Sequence, residues 1–299
     1  MNLAIIIPFY KLTFFESTLK SLSDQTDKRF KVYIGDDASP EDPSVLLEKY
    51  IDKFDFTYYR FDNNLGGKSL TQQWERCIRL AGNEEWIMIL GDDDVLDINF
   101  VEAFYDNVVE VVSYKILVIR YATMKIDENG NFISNLYKHP KIESSIDFSF
   151  RKSRSSLSEY IFFKDKLTKV GFKDFPLGWY SDRLAILEVS DFKDVFSINY
   201  TSVFIRYSVL SISGTKSNLK LKRIANVRYF YYLVSSKRNK FNIEQSNLLF
   251  KSLNETYLRD KKNLFLFFKI SSFYFSHFLM RYFFIFISSV FFEIRKSLN

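Results

Sequence analysis

The residues with the clearest chemical potential are three consecutive aspartates, Asp92, Asp93 and Asp94, which directly follow the apolar residues 86–90. Five apolar residues between polar neighbours predict a short strand that is buried on both faces. Adjacent carboxylates disfavour one another's ionisation unless a cation offsets their charge, and hard divalent cations such as Mg²⁺ and Mn²⁺ prefer oxygen ligands. The run therefore predicts a metal site at a strand end. The competing interpretation is a solvated acidic turn before the next helix.

Other polar residues could contribute to the same site. Asp37 ends another apolar run and could accept a hydrogen bond from a nucleobase N–H or a sugar hydroxyl. Gly66 would permit close approach to the backbone, and Lys68, at the start of a predicted helix, could meet a phosphate. Asp182, at the start of a later predicted helix, could serve as a general base. For the two aspartates the competing interpretations are structural, a capped turn and a helix cap.

The elements that must position these residues alternate between apolar runs and helical periodicity over about the first 120 residues. This pattern predicts an α/β fold, an open and mostly parallel sheet flanked by helices, in which ligands bind beyond the carboxyl ends of the strands. Four predicted strand ends carry polar clusters, at residues 8–11, 35–37, 63–68 and 92–94. These clusters should converge on one cleft. A fifth strand is predicted at residues 116–121 and a short helix at residues 157–163.

Composition limits the class of protein. A chain of 299 residues, of which 47% are hydrophobic, can hold one large domain with an appendage. The single cysteine excludes a disulfide framework and fits a reducing compartment, and the two histidines argue against a zinc site. The N-terminus lacks the basic and apolar segments of a signal peptide. Neither a Gly-x-Gly-x-x-Gly fingerprint nor a Walker-type loop is found in the sequence.

Charge is distributed unevenly along the chain. Residues 216–299 contain 16 Lys and Arg against 4 Asp and Glu, a net +12, so the formal charge of +6 leaves −6 for residues 1–215. The basic part is rich in aromatic residues, and no uncharged run within residues 264–292 exceeds 11 residues. A spanning helix needs about 20 apolar residues. We therefore expect a catalytic domain over residues 1–215 and a helical region over residues 216–299 that associates with a membrane surface without crossing it.

Several segments together resemble the family 2 glycosyltransferases. They are Ile6-Ile7-Pro8-Phe9-Tyr10-Lys11, Gln25-Thr26, Gly35-Asp36-Asp37-Ala38-Ser39, Asn64-Leu65-Gly66-Gly67 and Leu90-Gly91-Asp92-Asp93-Asp94. Their order and spacing match the family over residues 3–100, and residues 175–182 resemble the segment that supplies its catalytic base. The resemblance implies an inverting enzyme of the GT-A fold that uses a nucleotide-diphospho sugar.

The resemblance also implies roles for individual residues. Eight of them would bind the nucleotide sugar: Pro8, Phe9, Tyr10, Asp37, Gly66, Lys68, Asp92 and Arg206. The first three would line the nucleoside pocket, Asp37 would meet the base and Asp92 would lie toward the ribose. Asp93 and Asp94 would hold Mn²⁺ or Mg²⁺, and Asp182 would deprotonate the acceptor.

Two positions depart from the family pattern. Gly91 stands where the metal motif usually begins with Asp, which leaves open which of the three aspartates is the main ligand, and Ser181 stands where an acidic residue usually precedes the base. The sequence also lacks the Gln-x-x-Arg-Trp motif of processive synthases. We expect a non-processive transferase that acts on a glycan or lipid-linked glycan, in the cytoplasm and peripheral to the inner face of the cell membrane.

Two other functions remain open at this point. A sugar nucleotidyltransferase would need a Gly-rich basic loop after the first strand, where Pro8-Phe9-Tyr10-Lys11 stands instead. A non-catalytic module that binds nucleotides or glycans would keep the fold without the reaction. A nucleic-acid partner is not expected, because the aromatic residues of the basic region form apolar blocks and do not alternate with Lys and Arg.

Overall fold

The computed structural model describes residues 1–151, 154–209, 211, 214–259 and 263–296. The chain divides into two compact units. The first consists of Met1–Asp174 and Ser181–Lys216, and the second of Phe175–Tyr180 and Ser217–Asn299. The assignment of catalysis to residues 1–215 and of membrane association to residues 216–299 remains a prediction.

The described residues of the first unit form one sheet of nine strands. The strands are β1 (Leu3–Phe9), β2 (Phe30–Asp36), β3 (Asp55–Arg60), β4 (Trp86–Ile89), β5 (Val95–Leu96), β6 (Val118–Ile126), β7 (Ile142–Ser144), β8 (Tyr160–Phe163) and β9 (Asp194–Arg206). Their order is β3-β2-β1-β4-β8-β6-β9-β5, and β7 pairs with β9. The first four strands are parallel, whereas β8 runs antiparallel between β4 and β6. The parallel part contains the four predicted strand ends.

Helices cover both faces of this sheet. In the described part of the first unit they are α1 (Phe15–Ser23), α2 (Ser44–Glu48), α3 (Leu70–Ile78), α4 (Phe100–Ser113), α5 (Ser145–Phe150), α6 (Lys164–Val170) and α7 (Ser181–Val189). Side chains of β1 alternate between two buried clusters, with Ile5 and Ile7 in one and Ala4 and Ile6 in the other. Burial on both faces is what an uninterrupted apolar strand predicts.

Two elements differ from the sequence-based prediction. The helix expected at residues 157–163 is a short 3₁₀ turn, Leu157–Glu159, followed by β8. The aromatic and β-branched residues of β8 suit a strand, and pairing with β4 and β6 outweighs the local capping pattern. The strand expected at residues 116–121 is β6, which starts later and extends to Ile126 because it pairs along β9.

The described part of the second unit is helical. It contains a 3₁₀ turn at Pro176–Gly178 and the helices α8 (Leu219–Ser236), α9 (Ile243–Leu258), α10 (Leu264–Ser276) and α11 (Met280–Lys296). Aromatic rings join the last three helices, since Phe286 packs with Tyr257 and Phe267 at centroid distances of 5.1 and 5.7 Å. No described helix combines the length and the apolar character that crossing a membrane requires.

Candidate active site

The carboxylate of Asp92 is held at the end of the first strand. β1 and β4 are parallel neighbours, so the segments that follow them leave the sheet side by side. Asp92 Oδ2 accepts hydrogen bonds from the backbone N–H groups of Tyr10 and Lys11, at 2.8 and 3.0 Å. Burial raises the pKa of Asp92, and these two N–H groups act in the opposite direction. The residue expected to lie toward the ribose is therefore anchored through one of its two oxygens.

Asp94 and Arg206 connect the aspartate run to β9. Asp94 is buried, and its Oδ1 accepts the backbone N–H of Arg206 at 2.9 Å. The Arg206 guanidinium, also buried, donates to the carbonyl oxygens of Asp93 and Asp127, at 2.9 and 2.8 Å. These bonds give both side chains a scaffolding role. Contact of Arg206 with a donor and metal binding by Asp94 remain predictions.

Asp93 is the member of the run whose charge is hardest to accommodate. Burial, followed by the charges of Asp94 and Asp92, raises its pKa well above the usual range, and Arg206 opposes this only in part. A bound cation would relieve the repulsion. Within the described ranges, no group of three or more His, Cys, Asp or Glu side chains is arranged to hold a metal ion. Because Mg²⁺ is commonly bound by one or two carboxylates together with substrate phosphates, Asp93 fits a site that a ligand completes.

Asp37 ties the end of β2 to the loop that carries Gly66. Its oxygens accept the N–H groups of Leu65 and Gly66, at 2.7 and 2.8 Å, and Arg76 forms an ion pair with it. A Cβ atom on Gly66 would lie 2.6 Å from Asp37 Oδ2, so any larger residue would displace the carboxylate. Contact of Asp37 with a nucleobase remains a prediction, and it would use the acceptor capacity that these bonds leave.

The other residues predicted to bind the donor differ in exposure. Pro8 and Tyr10 are half-buried, and Lys68 is exposed just before α3. Phe9 is fully buried, and its ring packs on that of Phe15 at a centroid distance of 4.7 Å. The alternation of β1 places the Phe9 ring in the core, so any contact of Phe9 with a nucleoside would come from its backbone.

Asp182 lies half-buried in the first turn of α7. Its Oδ2 accepts a hydrogen bond from Ser155 Oγ at 2.7 Å, and the same Oγ lies 3.0 Å from the hydroxyl oxygen of Tyr160. Farther along this segment, Ser158 Oγ accepts the backbone N–H of Gly91 at 3.0 Å, directly before the aspartate run. The segment from Ser155 to Ser158 therefore connects the predicted base with the predicted metal-binding turn.

Sequence reasoning missed three residues that organise the site, Arg76, Ser155 and Ser158. The two serines fall in a stretch that the sequence describes poorly, and only the insertion of β8 between β4 and β6 brings them to Asp182 and Gly91. Arg76 gave no signal beyond its position on the helix that follows the Gly66 loop.

Comparison with solved structures relates this geometry to known folds. One similar structure is S. aureus TarS 1-349 in complex with UDP-GlcNAc, 14% identical, covering 86% of this chain and 80% of that one, with a TM-score of 0.59. TarS 1-349 in complex with UDP is 15% identical over 99% of this chain and 92% of that one, with a TM-score of 0.58. GalNAc-T7 with UDP, GalNAc and Mn²⁺ is 12% identical over 85% of this chain and 54% of that one, with a TM-score of 0.50. At these identities the likeness concerns the fold.

Comparison with sequences gives a more specific result. No curated protein matches the chain significantly. Residues 4–166, more than half of the chain, match the model of Glycosyl transferase family 2. This match shows that the protein belongs to glycosyl transferase family 2, and the architecture shared with the solved structures shows that it is a glycosyltransferase of the GT-A fold.

Proposed function

We propose that the protein transfers one sugar from a nucleotide-diphospho sugar to a hydroxyl of a glycan or lipid-linked glycan, with inversion at the anomeric carbon and without processivity. The observation that carries this proposal is the segment from Ser155 to Ser158, which links Asp182 to the aspartate run. Transfer requires a donor and a base held in a productive arrangement. The UDP-GlcNAc in the TarS structure supports the class of donor.

On the donor side, Asp93 would hold Mn²⁺ or Mg²⁺ together with the diphosphate. Asp94 would contribute to binding the same ion from the buried side of the site. When bound, the ion would offset the negative charge that develops on the leaving diphosphate. Asp92 would lie toward the ribose, and Asp37 would meet the base. The Mn²⁺ and UDP in the GalNAc-T7 structure support a metal-assisted donor site.

On the acceptor side, Asp182 would remove the proton from the attacking hydroxyl. The Ser155 hydroxyl holds one oxygen of this carboxylate, which restricts its orientation. The acceptor oxygen forms a bond to the anomeric carbon while the bond from that carbon to the diphosphate breaks, and the proton passes to Asp182. A single displacement of this kind inverts the configuration.

A nucleotide screen tests this function. A nucleoside diphosphate at 100 times its dissociation constant should stabilise the protein by about 2.7 kcal/mol in the presence of Mn²⁺. The matching nucleotide sugar should then be consumed in a Mn²⁺-dependent reaction. Stabilisation without turnover of any nucleotide sugar would favour a non-catalytic module. Formation of a nucleotide sugar from a sugar phosphate and a nucleoside triphosphate would favour a nucleotidyltransferase.

We further propose that the second unit binds the inner face of the cell membrane through α10, α11 and the turn between them. Seven phenylalanines of this region are exposed: Phe265, Phe268, Phe275, Phe278, Phe284, Phe291 and Phe292. Lys269 and Arg281 interrupt the apolar residues, and Arg295 and Lys296 follow them. Exposed aromatic residues beside cations are typical of interfacial helices, and each cation near an anionic surface contributes about 1 kcal/mol.

Replacing Phe265, Phe268 and Phe275 by Ser should weaken binding to vesicles with anionic phospholipids by about tenfold or more for each ring that enters the lipid, since burial of each ring contributes about 1.5–3 kcal/mol. The three rings are at least 65% exposed, so their loss should not change the thermal stability. Tyr114→Ser, an exposed aromatic of the first unit, is the matched control for co-sedimentation. Unchanged vesicle binding of the triple variant would contradict the membrane role.

A further inference from the structure

A cluster of arginines lies in the first unit around the ring of Phe148. The guanidinium carbons of Arg120, Arg183 and Arg151 lie 4.6, 5.4 and 5.6 Å from the centroid of this ring. We call these three residues, with Arg154, the arginine cluster. Arg154 lies close to Arg151 in the sequence, its Nε donates to Thr123 Oγ1 at 3.1 Å, and its charge acts on His139 as those of Arg120 and Arg151 do. Several cations around one ring repel one another, and such an arrangement is stable only if anions neutralise part of the charge.

The carboxylate that neutralises part of this charge is shared. Glu143 Oε2 accepts from Arg120 and from Arg151, each at 2.8 Å. Glu159, buried near Arg120, contributes little negative charge, because burial raises its pKa to about 8. The neighbouring His139 adds no positive charge, because burial, followed by the charges of Arg120, Arg151 and Arg154, lowers its pKa to about 3. Arg120 and Arg151 therefore share one carboxylate, and the neighbouring Glu159 and His139 change the charge of the cluster little.

Two hydrogen-bond donors next to the cluster lack an acceptor. Arg120 Nη1 is buried without a hydrogen-bond partner among the described residues, and so is His139 Nε2. His139 Nδ1 lies 3.0 Å from a guanidinium nitrogen of Arg151, so Nδ1 accepts and the neutral ring carries its hydrogen on Nε2. Arg120 is 0% exposed and His139 is 6% exposed. Buried donors are rarely left without an acceptor, so each of these two indicates an oxygen atom nearby, which comes from water, from a ligand or from Glu159, whose Oε1 is also buried without a partner among the described residues.

The cluster adjoins the predicted base. Arg183 follows Asp182 directly, and Ser155, which follows Arg154, donates to the Asp182 carboxylate at 2.7 Å. The Arg151 side chain is 33% exposed, which leaves the cluster open to solvent on that side. A group bound here would lie beside the residue that is expected to receive the acceptor's proton, on the acceptor side of the reaction.

We propose that the arginine cluster binds an oxyanion, a phosphate or a carboxylate, that the acceptor carries close to the hydroxyl that is glycosylated. The proposal deepens the function proposed above and rests on it for the role of Asp182. Guanidinium groups bind phosphate and carboxylate through paired N–H donors, which suits the geometry of both anions. The substrate class that follows is an anionic glycan or glycan phosphate.

Titration with inorganic phosphate at constant ionic strength tests the subsite. Phosphate, with sodium chloride as the reference salt, should raise the melting temperature of the full chain, both alone and with saturating UDP and Mn²⁺. Malonate in place of phosphate distinguishes a carboxylate preference from a phosphate preference. Arg151→Gln and Arg183→Gln should each weaken phosphate binding by about tenfold or more, because each removes a charge-assisted contact. Arg79→Gln is the matched control, because Arg79 is an exposed arginine at the C-terminal end of α3 and does not belong to the cluster. This variant should bind phosphate as the original protein does.

A second variant keeps the test decisive if the arginine variants fold poorly. Glu143→Gln removes the carboxylate that Arg120 and Arg151 share, so its melting temperature should depend more steeply on phosphate than that of the original protein. Equal responses to phosphate and chloride in every variant would overturn the proposal and leave water as the partner of the buried donors. Binding of UDP without an effect of phosphate would overturn the subsite alone. An Arg151-dependent effect of phosphate without any binding of nucleotides would retain the subsite and overturn the donor proposal.

Discussion

Replacing Asp182 by Asn should lower the rate of sugar transfer by on the order of 10²-fold or more, which is the usual size of a general-base contribution. The amide has the shape of the carboxylate and its oxygen can still accept the hydrogen bond from Ser155, but it cannot take up a proton. Nucleotide affinity should be unchanged, because the base serves the acceptor. Steady-state transfer with Mn²⁺ and calorimetric nucleotide binding measure the two quantities separately.

Asp165→Asn is the matched control for this variant. Asp165 is an exposed carboxylate in the first turn of α6, as Asp182 is a half-buried one in the first turn of α7. Each should stabilise its helix by about 0.3–1 kcal/mol through the helix dipole, so both variants should show similar small losses of stability. Normal transfer by Asp182→Asn would show that Asp182 only caps the helix, whereas loss of its nucleotide binding would show that it serves the donor and is not the base.

Replacing Asp93 by Asn should abolish the Mn²⁺ dependence of donor binding and lower turnover by on the order of 10²-fold or more, since a Lewis-acid metal contributes several kcal/mol. Without metal, the variant should be at least as stable as the original protein, because one of three mutually repelling carboxylates is gone. Thermal unfolding with and without Mn²⁺ and UDP measures both effects. The metal-free stability is the discriminating quantity, since a purely structural aspartate would lower it when replaced.

Asp97→Asn serves as the control for the aspartate run. Asp97 follows the run closely, and its Oδ1 accepts the backbone N–H of Ile98 at 2.9 Å, a bond that an amide oxygen can replace. This variant should keep its Mn²⁺-dependent turnover. If Asp93→Asn keeps it as well, the ion is held elsewhere or is not used.

The sequence predicts which residues meet on the donor side of the site better than it predicts the hydrogen bonds that hold those residues in place. The carboxyl ends of parallel strands lie at the same edge of a sheet, so the apolar runs alone predict that the polar residues after β1 and β4 lie close together. The structure confirms this, since the backbone N–H of Tyr10 donates to Asp92 there. Burial on both faces also follows from those runs. What local patterns could not show is which carboxylate oxygens are already occupied, as they are in Asp37 and Asp94.

The acceptor side depends on contacts between residues far apart in sequence. The local sequence of β8 predicts part of a helix. β8 is a strand because it pairs with both β4 and β6, and a short window of sequence around β8 includes neither of these strands. Ser155 and Asp182 are 27 residues apart, and Arg206 and Asp94 are 112 residues apart. Pairings of this kind depend on the whole topology, so the composition and periodicity of each segment carried no sign of them.

The bond between the Arg206 amide and Asp94 also gives the molecule a reporter of its own motion. An amide hydrogen exchanges with solvent only when its hydrogen bond opens. The amide of Arg206 donates to a side chain of the aspartate run and not to a neighbouring strand, so its exchange rate follows the opening of that turn, separately from the fraying of β9. A ligand that holds Asp93 would hold this turn closed and slow the exchange. The occupancy of the donor site could therefore be followed through a single backbone position on the buried side of the site.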